Sequence, residues 1–447
     1  MAASPVALGP AARTSESRVR RRPRTTLTAA HAAVTILIAA GWLAAGPVSG
    51  PYRNHVAELV GLEAIWLMSS SVLMLTRSER LERAVGGVEV ELWWHRLAGA
   101  LGLALGMVHP KLFVPSGDEP SFMAGLVNLL MLAGIVLVAW SFMTPSSRVA
   151  RWRGPLGWLA RRGYDRWLSI HRLLAVFVVA AMVHGVVDSA TLLRSPLLLL
   201  GYAGVCATGL YALVERFVAA RRGGRAVGAS VVSARRHGRT VVLRMLPDRP
   251  VAHGTAQFVE LGVPVSRERP HPVTVVSAPD DPLIEVAVQA VGAGTTRIVD
   301  DVAPGDRVRL DAVRGLPDHP ATSGRELWLA SGIGITPFVA RVRARAALAG
   351  VPPVDLVWSR RGFADAPYVD ELLEAARHLP WLTLHLRDTA RQGRVTVDEL
   401  LDLVDHRPTE LTVVACGSAT VVQPLVKGLA ARGVPRARIT SEAFGFR

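Results

Sequence analysis

Apolar stretches long enough to cross a lipid bilayer concentrate in the first half of this 447-residue chain, so one water-soluble core cannot absorb the whole sequence. A hydrocarbon layer of about 30 Å needs roughly 20 apolar residues in helical form. The hydropathy pattern predicts six spanning helices, at about 27–47, 56–75, 92–112, 121–143, 167–187 and 195–215. From about residue 226 onward, short alternating runs punctuated by Gly and Pro read as a soluble α/β protein.

Charge orients the helices. The formal net charge is +15, a balance that often signals nucleic-acid binding, but here the excess flanks the apolar runs. With the N-terminus inside, the inner segments carry Arg13, Arg18, Arg20, Arg21, Arg22 and Arg24, then Arg77, Arg80 and Arg83, then Arg148, Arg151, Arg153, Arg161, Arg162 and Arg166. The outer loops carry only Arg53, Lys111 and Arg194. That asymmetry follows the positive-inside rule and leaves both termini in the cytoplasm of a multi-pass protein of the cell (plasma or inner) membrane. The basic start followed by an apolar run reads as a tail and first helix rather than a cleaved signal, since the run is long for a signal core. The only cysteines are Cys206 and Cys416, which excludes a four-thiolate iron–sulfur cluster within this chain. No calcium loop of the EF-hand type is present, and nucleic acid is not an expected partner.

Four histidines then interrupt two of the apolar runs. His109 lies 14 residues after His95, and His184 lies 13 after His171. At 1.5 Å per residue each pair is separated by roughly 20 Å along its helix, so two levels fit inside one bilayer. An ionisable side chain at such depth points to function, and neutral imidazole is a good axial ligand for haem iron. The expectation is two b-type haems, the inner held by His95 and His171 and the outer by His109 and His184. On an ideal helix His95 and His109 lie about 40° apart, but His171 and His184 lie about 140° apart, so the second helix must bend, wind irregularly or present its ligands from its two flanks. Arg96 and Arg172 adjoin the inner histidines and would meet haem propionates or snorkel to the lipid surface. His31 and His55 have no spaced partner and read as structural or interfacial. Glu63 would line an outer cavity or pack against a neighbouring helix.

In the soluble half, residues 227–246 read as two strands about the turn His237-Gly238-Arg239, the start of a small antiparallel barrel. His271-Pro272-Val273-Thr274 leads into Ser277-Ala278-Pro279, and Val291-Gly292-Ala293-Gly294-Thr295 follows about 20 residues later. A buried-strand pattern at 327–330 runs through Ser331-Gly332-Ile333-Gly334-Ile335-Thr336-Pro337 into a helical run, the arrangement in which a helix N-terminus receives a pyrophosphate. The strand at 354–358 ends at Ser359-Arg360-Arg361, where a hydroxyl beside guanidinium groups suits a 2′-phosphate and favours NADPH over NADH. The strand at 411–415 leads to Cys416-Gly417-Ser418, and the chain stops at Glu442-Ala443-Phe444-Gly445-Phe446-Arg447.

These segments, in this order, resemble the ferric reductase and NADPH oxidase families, transmembrane flavocytochromes with a ferredoxin-reductase-type FAD and NAD(P) domain. The resemblance covers about residues 60–447. It implies that His271, Pro272 and Thr274 contact flavin, that Gly292, Gly294 and Thr295 approach its pyrophosphate, and that Gly332, Gly334, Thr336 and Pro337 hold the nicotinamide nucleotide. It further implies that Cys416 sits near the nicotinamide and that Phe444 covers the flavin until nicotinamide displaces it; a core aromatic is the other reading of Phe444. Three departures stand out: Ala312-Val313-Arg314-Gly315 where the family has Gly-Pro-x-Gly, Ser418 for Pro, and Phe113 where oxidase relatives place a second histidine.

The expected architecture is a basic tail (1–26), a membrane α-helical bundle of six helices and two haems (27–220), a cytoplasmic antiparallel β-barrel FAD domain (226–320) and an α/β parallel-sheet NAD(P) domain (325–447). Its expected chemistry is electron transfer from cytoplasmic NAD(P)H through FAD and the haems to a metal chelate or O2 outside, resembling ferric reductases or superoxide-producing oxidases. A haem-free, membrane-anchored flavin reductase and a transporter using the histidines as a proton relay are the rival readings.

Overall fold

The computed structural model describes residues 23–46, 52–76, 78–112, 171–219, 226–266, 270–315, 324–404 and 406–444. The helix expected over 121–143, most of the basic tail, Phe113 and the arginines from Arg148 to Arg166 lie outside the described residues. The chain divides into two compact units, Met1–Gly224 and Arg225–Arg447.

The first unit is helical: α1 Pro23–Ala45, α2 Tyr52–Leu73, α3 Glu79–Val85, α4 Val88–Leu112, α5 Leu174–Asp188, α6 Ala190–Arg194 and α7 Pro196–Val214. Serine caps punctuate it. Ser189 accepts from Leu192 N–H and Ser195 from Leu198 N–H, and Pro196 occupies the first turn of α7, where its missing N–H costs nothing. Trp42, Leu62, Ile65, Met68, Phe177, Met182, Leu192 and Tyr202 form its main core. α2 and α4 pack closely because small residues line the contact: a Cβ on Gly102 would lie 2.9 Å from Met68 Cγ and 3.0 Å from the Ala64 carbonyl oxygen.

Six spanning helices were expected, whereas among the described residues three helical stretches are long and apolar enough to cross a membrane: Thr26–Ala45, Tyr52–Leu73 and Pro196–Phe217. α5 is apolar but has only 15 residues. α4 has 25 residues but contains Glu89, Glu91, Arg96 and Lys111, which lower its hydropathy. Outward faces are nonetheless oily, with Ile36, Leu37, Leu43, Leu197 and Leu200 each at least 65% exposed.

The second unit opens with six antiparallel strands, β1 Val227–His237, β2 Thr240–Pro247, β3 Phe258–Gly262, β4 His271–Thr274, β5 Ile284–Gln289 and β6 Arg307–Arg314, ordered β4-β3-β6-β1-β2-β5. The bridge Val275↔Val286 brings the two ends of that order together, closing a barrel around Val241, Leu243, Met245, Leu261, Val286 and Leu310. Helix α8 Ala293–Asp301 packs on it through Ile298 and Val299.

A five-stranded parallel sheet follows: β7 Arg325–Ser331, β8 Val354–Arg360, β9 Leu382–Asp388, β10 Leu411–Ser418 and β11 Ile439–Phe444, ordered β11-β10-β7-β8-β9. Helices α9 Thr336–Arg345 and α10 Val369–His378 share one core with Trp328, Leu356 and Trp358. On the other face α12 Val397–Val404 and α13 Ala419–Ala431 pack on Leu327, Leu329, Leu411 and Val413; the short α11 Thr389–Gln392 follows β9. Because the chain builds outward from β7 to β9 and then returns to add β10 and β11, the strand order reverses between β7 and β10. Ligands of doubly wound sheets bind outside the strands' carboxyl ends at such a reversal.

Candidate functional site

In the first unit the expected histidine pairs face each other. The rings of His95 and His171 have centroids 6.1 Å apart with planes at 90°, and those of His109 and His184 lie 6.0 Å apart at 74°. Two imidazoles sharing one metal through bonds of about 2 Å place their centroids roughly 6 Å apart, so both spacings suit a metal between the rings.

On three of the four rings, Nδ1 is held by the protein. His95 Nδ1 lies 3.0 Å from Ser71 Oγ and 3.0 Å from the Ser71 carbonyl, while that hydroxyl donates to the His95 carbonyl at 2.9 Å. His109 Nδ1 meets the Ala57 carbonyl at 2.8 Å, and His184 Nδ1 meets Asp188 Oδ2 at 2.6 Å. Each partner accepts, which places the proton on Nδ1 and leaves Nε2 as the lone-pair donor, the arrangement that orients metal-binding histidine. Gly61 makes room for this: a Cβ there would stand 3.1 Å from His109 Nδ1. Among the described residues no group of three or more His, Cys, Asp or Glu forms a metal site. A two-nitrogen set suits haem, whose porphyrin supplies the other ligands.

Of the ways expected to bring His171 and His184 toward one face, irregular winding is present at Arg172–Leu173. There Ala175 N–H bonds to Arg172 O and Val176 N–H to Leu173 O, three-residue bonds between His171 and the regular turns of α5. Such steps turn about 120° rather than 100°, so two or three of them close roughly 40–60° of the mismatch. His31 and His55 have aromatic neighbours instead. His31 stacks on Trp66 at 4.9 Å, and His55 stacks on Trp42 at 3.9 Å. Glu63 accepts from Thr35 Oγ1 at 3.0 Å, tying α2 to α1.

In the second unit a cleft of 310 Å³ opens at the strand-order reversal. Ser331, Gly332, Ser359, Arg360 and Arg361 line it, together with Thr240 and Gln289 from the barrel and Thr389 and Arg394 after β9. Those last four carry no motif and were not singled out by sequence. Gly332 has φ +58 and begins a 3₁₀ turn, and Pro337 sits in the first turn of α9. A Cβ on Gly334 would run into the Cys416 carbonyl and lie 2.7 Å from Gly417 Cα. Gly417 in turn has φ +146, and its Cβ would lie 2.7 Å from the Ser331 carbonyl oxygen. The loops after β7 and β10 therefore touch backbone to backbone, which explains two of the glycines without any ligand.

Other expected contacts are already engaged within the fold. Thr336 Oγ1 donates to the Ile333 carbonyl at 3.1 Å, Ser359 is buried, and Cys416 belongs to the apolar core beside Trp328 and Phe338. Trp358 anchors the loop by donating to Gly332 O at 3.0 Å. Arg360 lies over the Trp358 and Phe363 rings, and burial there pulls its guanidinium below the usual arginine range, with Asp365 opposing. Arg361 is exposed. The backbone of Phe444 pairs with Ser418, at the end of β10 beside Cys416 and Gly417.

The flavin segment His271–Thr274 is β4, at one end of the barrel's strand order, where Pro272 loses no ladder bond that the strand needs. Pro272 is exposed and Thr274 is buried. At the start of α8 the Val291 and Gly292 N–H groups both donate to Thr295 Oγ1 at 3.0 Å, so these two amides serve the turn rather than reaching outward. Gly315, directly after β6, has φ +92, and its carbonyl accepts from Gln257 Nε2.

No family model matches the chain. Over 187 residues it is 31% identical to a Methanopyrus kandleri protein described as a probable dihydroorotate dehydrogenase B (NAD(+)), electron transfer subunit, covering 40% of this chain and 64% of that one. The chain thus spans less than two thirds of that relative's length. A solved cytochrome P450 reductase from Amycolatopsis is 26% identical with a TM-score of 0.44, over 49% of this chain and 70% of that one. Flavohemoglobin from Malassezia yamatoensis, with bound FAD and heme, is 17% identical with a TM-score of 0.49, over 88% of this chain and 96% of that one. Both scores fall below 0.5, and the assignment rests on the chain's own geometry. An antiparallel barrel followed by a parallel sheet with its cleft at the strand-order reversal fits an FAD/NAD-binding reductase domain.

Proposed function

We propose that this chain is a membrane-bound oxidoreductase that takes electrons from NADPH through FAD and two b-type haems to an acceptor across the bilayer. The observation carrying the reading is the doubled histidine geometry. Two ring pairs at 6.1 and 6.0 Å, three of the four rings with Nδ1 held by an acceptor, are more than buried polar side chains need for packing. Exposed apolar faces on α1 and α7 support a lipid environment. For the soluble half, the cleft and the relative named as an electron transfer subunit support the flavin and nucleotide reading.

The chain's residues then divide the work. Gly332, Gly334, Thr336 and Pro337 shape the turn that receives the nucleotide pyrophosphate, and Ser359, Arg360 and Arg361 receive the adenosine end, favouring NADPH though NADH can serve. His271, Pro272 and Thr274 seat the flavin ring, with Gly292, Gly294 and Thr295 near its pyrophosphate. Cys416 lies near the nicotinamide position, and Phe444 covers the flavin until nicotinamide displaces it. His95 with His171, and His109 with His184, each hold one haem. FAD, when bound, supplies the conversion of hydride into single electrons, and haem supplies the relay. The acceptor class is a ferric or other metal chelate, with O2 as the second.

The test is the visible spectrum of the purified protein during anaerobic NADPH addition. Flavin bleaching followed by two reducible bis-histidine haem signals is the expected result. Flavin without haem overturns the haem relay and leaves an anchored flavin reductase, and a spectrum with neither flavin nor haem overturns the whole reading.

A further inference from the structure

Within the second unit, one guanidinium joins the barrel to the parallel-sheet layer. Arg343 on α9 donates from Nη1 to Glu285 Oε1 on β5 at 2.9 Å and to the Val276 carbonyl at 3.3 Å. From Nε and Nη2 it grips both oxygens of Glu371 on α10, at 2.7 and 2.8 Å. The Tyr368 ring lies 5.5 Å below the guanidinium, and Tyr368 itself holds φ +70, a left-handed conformation that a bulky residue adopts only where surroundings impose it. Glu285 is 4% exposed, and its second oxygen lies 3.5 Å from Arg244 on β2.

A buried ion pair contributes little net stability, because desolvating both charges offsets their attraction. A planar fork with four hydrogen bonds fixes orientation instead. The elements it orients are telling. Val276 lies two residues beyond Thr274 on the flavin segment, and α9 begins at the nucleotide turn Gly332–Pro337. One rigid helix thus links the two halves between which hydride must pass.

We propose that Arg343 is a positioning residue that sets the approach of nicotinamide to flavin by locking β5 and the end of the flavin segment to α9 and α10. This rests on the flavin and nucleotide reading above. Hydride transfer needs reacting atoms about 3–3.5 Å apart, so small domain rotations slow it without abolishing either cofactor's binding.

The experiment uses the full-length holoprotein in detergent, comparing the parent with Arg343→Met, Arg343→Lys and Glu285→Gln. Stopped-flow bleaching of the flavin by NADPH, the flavin–NADP⁺ charge-transfer absorbance, FAD content, NADP⁺ Kd and reoxidation by ferricyanide are read for each. Arg343→Met should slow bleaching at least tenfold and weaken the charge-transfer band, with FAD content, Kd and reoxidation within about threefold of the parent. Arg343→Lys, which keeps the charge and loses the fork, should recover only part of the rate. Glu285→Gln, milder for folding, cuts only the barrel link and should show the same split. Parent-like bleaching in Arg343→Met or Glu285→Gln overturns the proposal, as does parallel loss of FAD, Kd and rate in Glu285→Gln. Failure of NADPH to bleach the parent's flavin sinks the underlying functional reading instead.

Discussion

At Gly417 the backbone has φ +146 and no room for a Cβ beside Ser331, so two independent costs fall on any larger residue. Gly417→Ala should lower stability by about 1–3 kcal/mol and weaken NADP⁺ binding by splaying the loops after β7 and β10. Thermal unfolding and NADP⁺ titration check this; an unchanged Kd would mean the loops do not frame the nucleotide site. Asp188 carries a second residue-scale prediction. Its carboxylate lies 2.6 Å from His184 Nδ1, and a carboxylate partner makes a ligating imidazole more basic and favours the oxidised metal. Asp188→Asn should therefore raise the outer haem's midpoint potential, by about 59 mV for each tenfold change in relative affinity. A potentiometric titration in which only one of two waves moves is the expected outcome, and two unmoved waves would break the link. This contact was open to sequence inspection, since residues four apart share a helix face. The Nδ1 partners of His95 and His109 were not, because Ser71 and Ala57 come from another helix at a register that only packing sets.

At the scale of elements, local periodicity carried the reading wherever neighbours in sequence are neighbours in space. The β1–β2 turn, the β7 strand leading into α9, and the ends of β8 and β10 follow from alternation, glycine placement and helix-start chemistry. The phase mismatch of His171 and His184 allowed a bend, irregular winding or ligands on two flanks, and the backbone winds irregularly at Arg172–Leu173. What escaped is tertiary: Arg343 and Glu285 are 58 residues apart and meet only when α9 docks on the barrel. Thr389 and Arg394 likewise reach the cleft only because β9 lies beside β8. The end of β8 supports a direct prediction. Replacing Arg360 and Arg361 with Ala should raise KM for NADPH tenfold or more while changing KM for NADH little, since a charge-assisted phosphate contact is worth roughly 1.5–3 kcal/mol. Equal losses with both cofactors would mean that these guanidinium groups do not meet the 2′-phosphate.

At the scale of the whole molecule, the contrast between an oily helical unit and a two-sheet unit was visible in hydropathy alone, whereas among the described residues three stretches meet the length and hydropathy of a crossing helix. α4 shows why: a helix that carries Arg96 and two histidines proposed as ligands loses hydropathy through the same residues that the proposed function uses. The assembly makes one prediction that neither unit makes alone. NADPH and ferric chelates are charged and do not cross lipid unaided, so sealed vesicles separate the two half-reactions. On the proposed function, with the Arg-rich face outward, NADPH added outside should reduce a ferric chelate trapped inside, because two haem levels roughly 20 Å apart would bridge most of a hydrocarbon layer of about 30 Å. His184→Ala should abolish reduction of the trapped chelate while leaving flavin bleaching by NADPH intact, since the outer ligand is lost and the nucleotide cleft is untouched. Including ferricyanide outside keeps the comparison fair, because it reports electrons leaving the flavin without crossing. If the trapped chelate stays oxidised in the parent while external ferricyanide is reduced, electrons do not traverse the bilayer. If His184→Ala still reduces the trapped chelate at the parent's rate, the outer histidine pair is not on their path.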